Sequence, residues 1–243
     1  MNIVINNLKK TFGEKTAVDI NHFEIESGTL LGLVGNNGAG KSTLFRLILD
    51  LIKADAGSVR MMGTANGENR DINVAESEEW KDWTGAFIDD SFLIDYLTPD
   101  EYFRFIARIS GISDEALEEQ LQKYEHFMAG EIKGQTKLIR NLSAGNKQKV
   151  GIIAALLLQP QVLILDEPFN FLDPSSQHAI KHLLQEYNQQ TGATILVSSH
   201  NLNHTVDICP RIALLENGVI IRDIENNDGS AQAELENYFD VND

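Results

Sequence analysis

The chain has 243 residues, 42% of them hydrophobic, enough for one large globular domain or two small ones with a real core. A formal charge of −16 excludes broad electrostatic attraction to nucleic acid or anionic lipid and points to basic protein surfaces as partners. No apolar run approaches the ~20 residues of a bilayer span, the N-terminus lacks a secretion signal's basic start, and a single cysteine, Cys209, excludes an internal disulfide. A cytoplasmic protein is expected, with Cys209 as a small apolar residue.

Residues 2–8 and 16–26 are short β-rich stretches and predict an antiparallel entry. Phe12 lies in the polar connection between them, as a loop anchor or as a ligand contact. Thr29–Val34 reads as a buried strand leading into Gly35, Asn36, Asn37, Gly38, Ala39, Gly40, Lys41, Ser42 and Thr43, which fills every fixed position of G-x-x-x-x-G-K-[ST]. A triphosphate needs several backbone N–H donors converging on it, and Gly35, Gly38 and Gly40 let the chain wrap closely. Lys41 supplies a positive charge for the β- and γ-phosphates and the Ser42 hydroxyl can ligate Mg²⁺. Leu44, Leu47, Ile48 and Leu51 recur at helical spacing, so the loop opens onto a helix N-terminus, which favours anions.

Asp55–Asn73 is turn-rich, with a short strand at Ser58–Met62, and Trp80 and Trp83 lead into Gly85–Ile88, expected as more of the β-rich part. The connection beginning at Asp89 carries Phe92, Leu93, Ile94, Tyr96 and Leu97, more large apolar residues than a solvated loop needs. Thr98-Pro-Asp-Glu101 is a capping box feeding Tyr102, Phe103, Ile106 and Ile109, and Ser113 starts a helix with Leu117, Leu121, Tyr124 and Met128 on one face. The aromatics among them are expected in the core.

Beyond residue 160 strand and helix alternate as a parallel sheet requires: Val162–Leu165, Ser175–Gln190, Ala193–Ser199. Asp173 caps the middle helix and Gly192 stops it. Asn217-Gly218 predicts a hairpin turn, and Ala231–Phe239 a short helix docked by Leu235, Tyr238 and Phe239. The strand Val162–Leu165 ends in Asp166 and Glu167: Asp166 would face Mg²⁺, and Glu167 can orient and deprotonate a water attacking the γ-phosphate. His178 and His182 stand i, i+4 without the glutamate of H-E-x-x-H, and no metal site is expected there.

Leu142-Ser143-Ala144-Gly145-Asn146-Lys147-Gln148-Lys149, about twenty residues before Asp-Glu-Pro, resembles the signature of ATP-binding cassette (ABC) ATPases, and the resemblance covers essentially the whole chain. Phe12 matches the aromatic that stacks on adenine, Asn170–Asp173 the D-loop, and His200 the switch histidine that senses the γ-phosphate. The resemblance implies ATP and Mg²⁺ as ligands and a head-to-tail pair, with a second copy or a paralogous cassette, in which Ser143 and Gly145 of one close over the ATP of the other. It also implies a separate integral-membrane permease, with part of the loop after Asp89 lining the groove that receives it. Ala144 and Asn146 depart from the usual signature, and Asp89 stands where the family generally has the glutamine that links Mg²⁺ and the attacking water to the transporter. Asp can still accept from a metal-bound water, but its shorter reach disfavours direct ligation.

The expected fold is α/β: a P-loop NTPase core with a parallel-rich sheet (31–54, 148–243), an antiparallel β subdomain (1–30, 55–88) and an inserted helical subdomain (89–147). The expected function is ATP hydrolysis that powers a transporter from the cytoplasmic face of the membrane. A soluble cassette remodelling a protein or ribonucleoprotein assembly is the alternative, and a non-hydrolysing switch conflicts with Glu167 and His200.

Overall fold

The computed structural model describes residues 1–65, 67–226, 231–232 and 234–235. The strands are β1 (Asn2–Phe12), β2 (Lys15–Ile25), β3 (Leu30–Val34), β4 (Ala56–Ala65), β5 (Glu68–Asn73), β6 (Thr84–Phe87), β7 (Val162–Leu165), β8 (Thr194–Ser199), β9 (Arg211–Glu216) and β10 (Val219–Glu225). The helices are α1 (Lys41–Ile48), α2 (Pro99–Ile109), α3 (Asp114–Lys123), α4 (Glu125–Met128), α5 (Ala144–Leu156), α6 (Pro174–Thr191) and α7 (Leu202–Val206). None is long and apolar enough to cross a membrane among the described residues.

β1, β2, β4 and β5 form an antiparallel sheet in the order β2-β1-β4-β5. Its register follows from side-chain alternation, which sets Ile3 opposite Ile25, Ile5 opposite Phe23 and Leu8 opposite Ile20, all buried. The second sheet runs β10-β9-β3-β8-β7-β6, parallel throughout except for the β9–β10 hairpin, whose Asn217-Gly218 turn is as expected. Parallel strands are covered on both faces, and here the two faces feed two cores. Leu31, Leu33, Ile164, Leu196 and Ala213 pack with Leu44, Phe45, Leu47 and Ile48 of α1 and with the antiparallel sheet. Leu30, Leu163, Leu165, Ile195 and Val197 pack with α5, α6 and the helices of residues 99–139.

Thr98 and Glu101 form the capping box, and Asp173 accepts from the Ser175 and Ser176 amides at the start of α6, which ends at a left-handed Gly192. Cys209 is buried, and burial holds its thiol well above the usual range, consistent with a packing role.

Three expectations are corrected. Gly85–Ile88 does not extend the antiparallel sheet; β6 pairs with β7 in the parallel one, Thr84 opposite Val162 and Phe87 opposite Leu165. The misleading signal is the pair Trp80 and Trp83, whose rings do bury with the antiparallel sheet while the backbone after them hydrogen-bonds elsewhere. The helix begun at Ser113 keeps its buried face of Leu117, Leu121, Tyr124 and Met128 but breaks at Tyr124 into α3 and α4. Of the aromatics expected in the core, Phe103 and Tyr124 are buried but Tyr102 is only half-buried. Of the C-terminal helix, Ala231 and Leu235 are helical and buried; Tyr238 and Phe239 lie outside the described residues.

Candidate active site

In an open α/β sheet, ligands bind beyond the carboxyl ends of the parallel strands. Neighbouring strands β3, β8, β7 and β6 end there in Gly35, His200, Asp166 and Asp89, so residues far apart in sequence arrive in one row. Close contacts show the convergence. Glu167 lies 3.4 Å from Lys41 Nζ through Oε1 and 2.9 Å from His200 Nδ1 through Oε2.

The cradle follows β3 directly. No side chain caps α1 and no acid occupies its first turn, so its opening amides and positive dipole end stay free for an anion. Lys41 is buried, its Nζ donating to the Gly35 carbonyl at 2.6 Å. Apart from the close approach to phosphate expected of them, the glycines have a cause within the fold. A Cβ on Gly35 would stand 2.2 Å from the Leu215 carbonyl oxygen and one on Gly40 2.3 Å from that of Ala17, both at left-handed φ. Gly35 and Gly40 therefore seat the loop on the protein itself. A Cβ on Gly38 would meet only Lys15 Nζ, at 3.8 Å, so there the left-handed φ of 83° rather than a steric clash favours glycine.

Asp166 is buried, and its carboxyl is raised above the usual aspartate range. Desolvation is the main cause and the neighbouring Glu167 adds to it; hydrogen bonds from Ser198 and Ser42 and the charge of Lys41 oppose it. Two hard oxygens in contact, the Ser42 hydroxyl and the Asp166 carboxylate, match the donor set of Mg²⁺, and a dication is what would stabilise that carboxylate. Glu167 occupies a left-handed conformation, φ 48°, unusual for a residue with a side chain. Its amide donates to Ser198 Oγ at 2.8 Å and its carbonyl accepts from Gln148 Nε2 at 3.2 Å. Ser198, which also bonds Asp166, therefore positions both carboxylates. Sequence reasoning gave Ser198 no role and Gln148 none beyond the signature stretch. The available signal for Ser198 was a hydroxyl at the carboxyl end of an otherwise apolar strand.

Asp89 borders a cavity of about 280 Å³ with Asp166, Glu167, Ala144, Gln148 and Phe171. Arg46 Nη2 holds its Oδ2 at 3.1 Å and the Ser91 amide its Oδ1 at 3.0 Å. Burial raises the Asp89 carboxyl, but Ser91 and Arg46 outweigh it and leave the group below the usual range.

Ser143 caps α5, accepting from the Asn146 amide at 3.2 Å, and Gly145 is small because a Cβ there would meet the Phe171 carbonyl oxygen at 2.6 Å. Phe12 closes β1 opposite Lys15, which lines a cavity with Asn36, Asn37, Gly38 and Ala39. Its ring is 53% exposed, so it anchors no loop. Beyond Asp89, Leu93 is buried whereas Phe92, Ile94 and Tyr96 are exposed; the loop does not tuck all five apolar residues away. Phe92 lines an apolar groove of about 280 Å³ with Leu49, Leu51, Trp80 and Ile88.

Residues 18–170 match the family model described as ABC transporter. The chain is 32% identical over 242 residues to the bacitracin transport ATP-binding protein BcrA of Enterococcus faecalis, covering 99% of this chain and 75% of that one. It is 32% identical over 219 residues to the methionine import ATP-binding protein MetN of Clostridioides difficile, covering 90% and 67%. A solved ATP-binding subunit of an ABC transporter superposes with a TM-score of 0.82 at 27% identity, covering all of both chains. A dimeric bacterial ABC transporter cassette does so with 0.79 at 26% identity, covering 93% of this chain and 99% of that one. With the glycine-rich loop, the paired carboxylates and the histidine assembled at the carboxyl ends of the parallel strands, the chain belongs to the ABC transporter family as an ATP-binding subunit and is an ATPase.

Proposed function

We propose that the chain powers a transporter whose membrane subunit is a separate permease, working as a head-to-tail pair of cassettes on the cytoplasmic face. The observation that carries the hydrolytic part is the Glu167 carboxylate held between Lys41 and His200. Glu167 is the general base for the attacking water; its backbone bonds to Ser198 and Gln148 fix its direction before ATP arrives. The cradle Gly35–Thr43 binds the phosphates, Lys41 carries charge to the β- and γ-oxygens, and His200 orients Glu167 and senses the γ-phosphate. Ser42 and Asp166 would hold Mg²⁺, which when bound neutralises charge on the β- and γ-phosphate oxygens. Asp89, held by Arg46 and Ser91, would accept from a metal-bound water rather than ligate the metal directly. Ser143 and Gly145, at the N-terminal end of α5, close over the ATP of the second copy, where free amides and the helix dipole suit a γ-phosphate.

Phe12 stacks on the base. Such stacking is worth ~1–3 kcal/mol on truncation, so Phe12→Ala should weaken ATP binding roughly 5- to 100-fold. Inorganic triphosphate should bind both proteins equally. Equal ATP affinities in a titration would remove Phe12 from the site.

The apolar groove receives a short cytoplasmic helix of the permease. Phe92 and Leu51, both exposed, supply anchors, and the net charge of −16 selects the basic surface that cytoplasmic membrane loops carry. The test is co-expression with a membrane protein of about six apolar spans and affinity recovery of the pair. Phe92→Ser should leave melting and ATP binding unchanged and cut recovery about tenfold or more, the scale of a single hot-spot residue. Full recovery of the variant would remove the groove from docking.

A further inference from the structure

The connection from β6 to α2 carries two consecutive aspartates held from opposite sides. Arg46, which holds Asp89 at 3.1 Å, stands on α1 one turn beyond Ser42. Lys147, whose Nζ lies 3.6 Å from Asp90 Oδ2, stands on α5 one turn beyond Ser143. The Asp89 side chain also caps the 3-10 turn Asp90–Phe92 through the Ser91 amide, and Phe92 at the end of that turn lines the apolar groove. One short turn thus touches the helix that cradles this chain's phosphates, the helix whose start faces the second copy, and the docking groove.

Fold stability does not account for the arrangement. The Asp89 and Asp90 side chains are 37% and 63% exposed, and ion pairs in such settings contribute little to folding. What two pairs on adjacent residues do supply is a tie from one short turn to both helices, so that a shift of either helix relative to the turn lengthens one of them.

We propose that Asp89 and Asp90 are positioning residues, a two-sided clamp that sets the start of α5 relative to α1 and so governs ATP-dependent pairing of two copies without touching nucleotide. This rests on the head-to-tail reading above. Pressure on Phe92 from an occupant of the groove would reach both helices through the same turn.

The test uses the full chain carrying Glu167→Gln, which holds ATP unhydrolysed, and measures by analytical ultracentrifugation the ATP concentration that half-saturates dimer formation. Lys147→Asp and Asp90→Lys, each placing like charges together, should raise that concentration about fivefold or more, and the double variant Asp90→Lys/Lys147→Asp should return it to within about twofold of the parent. Fluorescent ADP, which does not bridge two copies, should bind all four proteins alike. Single variants that pair like the parent overturn the clamp. So does a charge swap that fails to restore pairing, since Lys147 would then be acting on the second copy directly. A Glu167→Gln parent that stays monomeric in ATP overturns the head-to-tail reading itself, a different result from loss confined to the clamp variants.

Discussion

Glu167→Gln is expected to lower steady-state ATP turnover by about 10²- to 10⁴-fold, the range for removing a general base, while ATP still binds. The amide keeps the size of the carboxylate and can still meet His200, but it no longer takes a proton from water. The lost charge also frees Lys41 from its 3.4 Å partner, leaving more of that cation for the phosphates, so ATP affinity should hold or rise. With the γ-phosphate never removed, the ligand shared by two copies persists and the ATP-bound dimer accumulates. Phosphate release and size-exclusion chromatography with and without ATP read both effects. A variant that hydrolyses at the wild-type rate would take Glu167 out of the mechanism, whereas one that is inactive yet monomeric would leave the base in place and remove the shared-ligand account of pairing.

What the sequence made legible was whatever local pattern controls. The strand-loop-helix setting of Gly35–Gly40, the capping box at Thr98 and Glu101, the Asp173 cap and the Asn217-Gly218 turn all depend on residues within a few positions of each other, and all appear as read. The strand Val162–Leu165 and its two acids were readable for the same reason. Pairing between distant segments was not. Thr84–Phe87 is too short for its alternation to choose a sheet, and the buried tryptophans before it pointed to the wrong one. The reason for Gly35 and Gly40 was equally hidden, because the carbonyls that exclude a side chain belong to Leu215 and Ala17, known to be close only once the strands are ordered. Ser198 and Arg46 belong to no motif read in the sequence, and Gln148 was read only as part of the signature stretch; their places in the site follow from long-range hydrogen bonds.

The second large effect is expected at Asp166, where one substitution should improve the fold and disable the enzyme. Burial is the chief reason its carboxyl lies above the usual range, with Glu167 adding to it against Ser198, Ser42 and Lys41. A carboxyl whose folded pKa exceeds its unfolded value contributes stability that is fully present below the unfolded pKa and is lost as pH rises through the folded one. At neutral pH the ionised Asp166 is therefore a standing cost to the protein without ligand. Asp166→Asn keeps the shape, still accepts from Ser198, and removes the charge, so the ligand-free protein should melt higher, by about 2–4 °C for each kcal/mol relieved. That advantage should shrink as pH falls from 7 towards 4, because the wild-type residue then protonates too; comparing the two proteins at each pH cancels the titration of the other carboxylates. Hydrolysis should fall on the order of 10²- to 10³-fold, as when one preorganised electrostatic contact is lost, and added Mg²⁺ should not restore it, since the amide lacks the charge that holds a dication. A lower melting temperature at pH 7 would mean that Ser198, Ser42 and Lys41 outweigh burial, and Asp166 would then be a structural anion rather than a group held at a cost for the metal.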